Sequence, residues 1–82
     1  MTENTRFIII GRSTCPFCIQ ASNYCFAMSV PSLMLDYAGR EEILEDYKKF
    51  YNQKTVPIIL ANNIETGYTK KVGGYTDLLD FL

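Results

Sequence analysis

Histidine is absent from this chain, and that gap removes several chemistries at once. Cysteine–histidine proteolysis, imidazole acid–base catalysis, haem ligation through imidazole and most zinc sites all need that ring. Long apolar runs are missing too. The longest, Phe7 to Ile10 and Val56 to Ala61, fall far short of the roughly 20 residues that span a bilayer. Neither sign of charge dominates: eight basic and nine acidic residues are mixed along the chain for a formal net charge of −1. No nucleic-acid or membrane partner is therefore expected. Met1-Thr2-Glu3-Asn4-Thr5 lacks both the basic start and the apolar stretch of a secretion signal, so a cytoplasmic location is expected. No internal repeat, linker or low-complexity segment occurs. At 82 residues, one domain over 1–82 is expected, near the size where a single hydrophobic core just suffices.

What the chain does have is Cys15-Pro16-Phe17-Cys18, two thiols one helical turn apart. Three cysteines is an odd number with only two close together, which argues against a secreted disulfide scaffold. The pair follows an apolar run, Phe7-Ile8-Ile9-Ile10, closed by Gly11, and precedes a helical stretch. A thiol at a helix start meets unpaired N–H groups and the positive end of the backbone dipole, which favour its thiolate. The thiolate is the form that attacks a disulfide sulfur. Cys18 lies inside the first turn and can close a ring with Cys15, so the spacing suggests a reversible redox couple. A structural zinc site would need four ligands, and only Cys25 could join the pair as a soft one, so no metal is expected.

Arg6 to Gly11 reads as a strand buried on both faces. Pro16 suits the first position of a helix running to about Met28, where a missing N–H costs nothing. On it Ile19, Phe26 and Cys25 are expected to point inward, with Ser22 allowing close packing. Cys25 reads as a small apolar side chain, with a regulatory thiol as the alternative. Leu33 to Tyr37 is the second strand. Arg40 to Tyr51 is a helix with Ile43, Leu44, Tyr47, Phe50 and Tyr51 on its inner face, and Asn52 suits its stop. Val56 to Ala61 and Tyr68 to Val72 form a hairpin turning at Asn62-Asn63. Thr76 is the expected N-cap of a final helix of about two turns, Asp77 to Leu82. The order βαβ-α-ββ-α predicts an α/β domain. Its first two strands run parallel, and a four-stranded mixed sheet is flanked by three helices on the thioredoxin-like plan.

Three segments together, Arg12-Ser13-Thr14-Cys15-Pro16-Phe17-Cys18, Gln53-Lys54-Thr55-Val56-Pro57 and Gly73-Gly74-Tyr75-Thr76-Asp77, resemble the glutaredoxin family in content and order. The resemblance covers essentially the whole chain. It implies Cys15 as nucleophile, its pKa lowered by the helix start, Arg12 and Lys54, and Cys18 as the resolving thiol. It implies a cis bond before Pro57, with Thr55 and the Val56 backbone facing a peptide-like substrate; on its own, Pro57 reads as an ordinary strand-edge proline. Gly74, Tyr75, Thr76 and Asp77 look like the family's glutathione clamp, while Arg12, Gln53 and Lys54 are expected at the glycyl carboxylate. Phe17 replaces a tyrosine often found there and is expected to form an apolar rim. Ile58 to Val72 is longer than in compact glutaredoxins, so its hairpin is expected to protrude or hold a longer loop.

What the resemblance implies is a monomeric, glutathione-dependent thiol–disulfide oxidoreductase. Its substrates would be glutathionylated or disulfide-bonded proteins, and its reduction potential about −200 to −230 mV. Three rivals remain open: a hydrogen donor served by thioredoxin reductase, dedicated to ribonucleotide reductase, an iron–sulfur carrier holding a cluster through Cys15 and glutathione, and a plain protein-binding module. Pro16 counts against the second, because cluster-carrying relatives often have a small or flexible residue at that place.

Overall fold

The computed structural model describes residues 4–82; Met1 to Glu3, part of the segment read above for a secretion signal, lie outside the described residues. The chain forms β1 (Thr5–Gly11), α1 (Pro16–Ala27), β2 (Ser32–Asp36), α2 (Glu41–Phe50), β3 (Ile58–Asn63), β4 (Thr69–Gly73) and α3 (Tyr75–Phe81). The strands make one four-stranded sheet in the order β2-β1-β3-β4. β1 runs parallel to β2 and antiparallel to β3, which pairs antiparallel with β4. This is the expected thioredoxin-like architecture. Among the described residues, no helix is long and apolar enough to cross a membrane.

Alternation along the central strands divides the core in two. Phe7 and Ile9 of β1 join Ile59 and Ala61 of β3 beneath α1 and α3, where Ala21, Cys25 and Leu78 complete a buried cluster. Ile10, Ile58 and Leu60 point the other way, to Leu44 of α2, under half-buried Tyr37, Tyr47 and Tyr51.

Several local expectations need correction. On α1 the buried stripe is Cys18, Ala21 and Cys25, while Ile19 and Phe26 are 43% and 85% exposed and Ser22 is half-buried. Small residues face the sheet because they let the helix lie close to Phe7 and Ile9; Ile19 and Phe26 sit about 100° round from that stripe. On α2, Leu44, Tyr47 and Tyr51 face the sheet, and Phe50 is 79% exposed, its ring edge-on to Tyr51. β3 starts at Ile58, after Pro57, and continues through Asn62 and Asn63, which pair with Arg6 and Thr5 of β1. Asn62 and Asn63 thus carry the ladder on to the turn at 64–68. There Asn63 Oδ1 accepts from the Glu65 and Thr66 N–H groups, and Asn62 bonds Arg6 and Thr69. α3 begins at Tyr75 with Gly74 at the N-cap, not Thr76, because the Asp77 carboxylate reaches back to the Gly74 N–H at 2.8 Å.

Candidate active site

The thiols sit where β1 gives way to α1. The Tyr37 N–H donates to the Gly11 carbonyl at 2.8 Å, so the ends of β1 and β2 stay joined. Asp36 then clips the loop: its Oδ1 accepts from the Ser13 N–H at 2.8 Å and the Ala38 N–H at 3.0 Å. Those bonds, the Ser13 ones first, hold its carboxyl below the usual carboxylate range. Arg12 forks across Glu41 at the start of α2, with Nε donating to Oε2 at 2.8 Å and Nη2 to Oε1. The loop before the thiols is therefore held by β2 and by α2.

Cys15 occupies the N-cap of α1 with extended backbone angles (φ −87°, ψ 123°), and Pro16 follows at the first helical position. Cys15 is partly exposed and Cys18 is buried. Burial pulls the Cys15 pKa upward, but the Cys18 N–H, the Cys18 thiol, the Phe17 N–H and the Arg12 charge together carry it below the ordinary cysteine value. Cys18 behaves oppositely. Burial, with the neighbouring Cys15, pushes it up to about 11, although a backbone bond from Arg12 and the Arg12 charge oppose the rise. The two neighbouring thiols are thus shifted in opposite directions, Cys15 toward the thiolate and Cys18 toward the protonated form. Gly11 makes room for that arrangement, since a Cβ there would collide with Cys18 Sγ.

Near Gly11 at the end of β1, the Val56–Pro57 peptide bond is cis. Gln53 braces this loop, its Nε2 donating to the Thr55 carbonyl at 3.0 Å and the Pro57 carbonyl at 2.8 Å. A groove of about 460 Å³ runs between this loop and the start of α3. Phe17 and Tyr75, with ring centroids 6.0 Å apart, form one wall. Gln53, Thr55, Val56, Pro57, Gly74, Thr76 and Asp77 line the rest, and neither Cys15 nor Cys18 is among the lining residues.

This architecture has close counterparts of known structure. Glutaredoxin 1 from Francisella tularensis, complexed with cacodylate, matches with a TM-score of 0.64 at 22% identity, over 93% of this chain and 90% of that one. Wheat glutaredoxin matches with a TM-score of 0.73 at 20% identity, over 92% of this chain and 68% of that one. A glutaredoxin from Brucella melitensis gives 0.64 at 20% identity, over 93% and 76%. The fold is that of the glutaredoxins. No protein-family model and no curated protein matches the sequence.

On this glutaredoxin fold, nine of the residues expected at a ligand site line one groove: Phe17 from the start of α1, Gln53, Thr55, Val56 and Pro57 from the loop before β3, and Gly74, Tyr75, Thr76 and Asp77 from the start of α3. Arg12 and Lys54 do not. Arg12 is turned to Glu41, and Lys54 lines a second cleft that Gln53 also borders. The Asp77 carboxylate is engaged with the Gly74 N–H. Sequence reasoning missed Gly11, Asp36 and Glu41. Gly11 carried a faint signal, a glycine closing an apolar strand just before a thiol pair. Asp36 and Glu41 carried none, because their partners lie 23 and 29 residues away.

Proposed function

We propose that this chain is a glutathione-dependent thiol–disulfide oxidoreductase acting on protein–glutathione mixed disulfides and on protein disulfides. The observation that carries the reading is the opposed acidity of Cys15 and Cys18 at one helix start, whose Phe17 also lines a groove of about 460 Å³. In the proposed cycle the Cys15 thiolate attacks the glutathione sulfur of a mixed disulfide. That S–S bond breaks, the protein thiolate leaves and takes up a proton, and glutathione is carried on Cys15. The thiolate of a second glutathione then attacks this sulfur, glutathione disulfide departs and the Cys15 thiolate returns.

With a protein disulfide, Cys15 attacks first and forms a mixed disulfide with the protein. Cys18, which holds its proton near neutrality, passes it to the departing protein sulfur as it attacks Cys15. The Cys15–Cys18 bond so formed is reduced by two glutathiones, which leave as glutathione disulfide. Groove residues supply the binding, with the Phe17 and Tyr75 rings as its aromatic surface.

A glutathione-coupled assay on a small mixed disulfide tests the reading. Cys15→Ser is expected to abolish turnover, and Cys18→Ser to retain the route through Cys15 alone. Unchanged turnover in Cys15→Ser would overturn it, as would an iodoacetamide rate that rises only above about pH 8.5.

A further inference from the structure

The second cleft, about 320 Å³ in volume, lies beside the thiol groove and shares Gln53 with it as a common wall. Its other walls are Glu45, Lys48, Lys49, Asn52 and Lys54. Three ammonium groups thus face one carboxylate, on a chain whose net charge is −1. Lys48 is paired to Glu45 at 3.2 Å, whereas Lys49 and Lys54 enter no ion pair among the described residues.

Helix chemistry accounts for part of this cluster and not for all of it. Lys48 and Lys49 belong to the last turn of α2, where the negative end of the helix dipole favours cations. Lys54 lies beyond the helix. It reaches the same cleft because Asn52 takes a left-handed conformation (φ 53°) and the Gln53 N–H bonds back to the Lys48 carbonyl at 2.9 Å. That turn packs the segment leading to Pro57 against the last turn of α2. It also aims the Gln53 amide at the Thr55 and Pro57 carbonyls of the thiol groove.

We propose that this cleft receives an acidic segment flanking the disulfide cysteine of a protein substrate, a refinement that rests on the oxidoreductase reading above. A substrate strand leaving the thiol groove over Gln53 meets the lysines next, so carboxylates within a few residues of its cysteine find unpaired ammonium groups. Such contacts at an exposed rim act chiefly on encounter rate and choice of partner, and fade with salt.

The test uses two glutathionylated peptides that differ in one flank, four glutamates against four glutamines, placed on either side of the cysteine in turn. At low ionic strength the native chain is expected to favour the better-placed acidic peptide about three- to tenfold in kcat/KM, an advantage lost by about 0.5 M salt. Lys48→Gln with Lys49→Gln is expected to erase the difference between the peptides, and Glu45→Gln, which removes the one opposing charge, to widen it. Equal rates for the two peptides in the native chain, or a preference that survives the double lysine variant, would overturn the proposal.

Anisotropy of labelled, disulfide-free peptides on a Cys15→Ser, Cys18→Ser chain separates the two readings. A salt-sensitive acidic preference there without turnover in the native chain leaves the cleft standing and removes the redox function. No preference there removes the cleft even if turnover is robust. Tighter binding of an RNA oligonucleotide or of phosphatidylserine vesicles than of the glutamate peptide would also overturn it.

Discussion

On one face of the sheet, Phe7, Ile9, Ile59 and Ala61 meet Ala21 and Cys25 of α1 and Leu78 of α3, and each of these is buried. On the other face, Ile10, Ile58 and Leu60 meet one fully buried side chain of α2, Leu44, ringed by half-buried tyrosines. The first face is closed by two helices that also touch each other; the second is roofed by a single helix. α2 is further held by the Arg12–Glu41 pair and by the Tyr37 and Tyr47 hydroxyls, 3.4 Å apart. The thiol pair is supported by the closed face. Cys15 and Cys18 ride on α1 and the groove's end on α3, so small residues there set atomic positions that dense packing then holds. The roofed face carries charge and the lysine-lined cleft, and little that must be placed to a fraction of an ångström.

Truncations at matched positions test this contrast most strongly. Leu78→Ala is expected to cost about 4 kcal/mol and Leu44→Ala about 2–3 kcal/mol, because a site rimmed by half-exposed rings can collapse or admit water. Urea midpoints at constant slope measure both. Equal losses would break the distinction between the faces.

A smaller effect is expected at the end of β1. Gly11→Ala adds one methyl against Cys18 Sγ and should cost about 1–3 kcal/mol, while Ile10→Val, on the opposite face, should cost about 0.5–1.5 kcal/mol. Gly11→Ala should also slow closure of the Cys15–Cys18 bond in a quenched-flow alkylation experiment. A Gly11→Ala chain as stable and as quick to close as the native one would show that Cys18 has slack.

The smallest expected effect is on the pH dependence of stability. The Cys18 pKa is raised to about 11, so its folded form favours the thiol. The resulting stability is complete below the unfolded value near 8.5 and declines as pH climbs toward about 11. Cys15, with a lowered pKa, acts in the other direction: its contribution is present above the unfolded value and is lost as pH falls through the folded one. Denaturation between about pH 8.5 and 10 should therefore show a steeper loss in the native chain than in Cys18→Ala. Parallel profiles would mean that Cys18 ionises as freely in the folded protein as in the unfolded one.

Much of the fold was legible because period and punctuation agreed. The Phe7-Ile8-Ile9-Ile10 run, the Ile43, Leu44 and Tyr47 spacing and the Gly73-Gly74 break located their elements to within a residue or two. α1 was harder. Phe17, Ile19, Phe26 and Met28 leave large apolar side chains in solvent, while the residues that face the sheet are small. Hydrophobicity then points to the wrong side of the helix, and only the sheet's shape corrects it. The thiol pair and the groove residues were legible from three short segments. Arg12 was legible as a charge that lowers the Cys15 pKa, but its pairing with Glu41 was not, because Glu41 belongs to a stretch that by itself reads as a solvated helix start.

The sequence by itself determined the helix start at Cys15-Pro16, the one-turn spacing of the thiols and the left-handed stop at Asn52, since each depends on backbone geometry within a few residues. Only the tertiary structure decided which side of α1 faces the sheet, where Arg12 points and how Gln53 to Pro57 meets Gly74 to Asp77 beside the thiols. Those outcomes depend on side chains far apart in the chain. No local preference can choose a contact whose partner arrives only when the sheet closes.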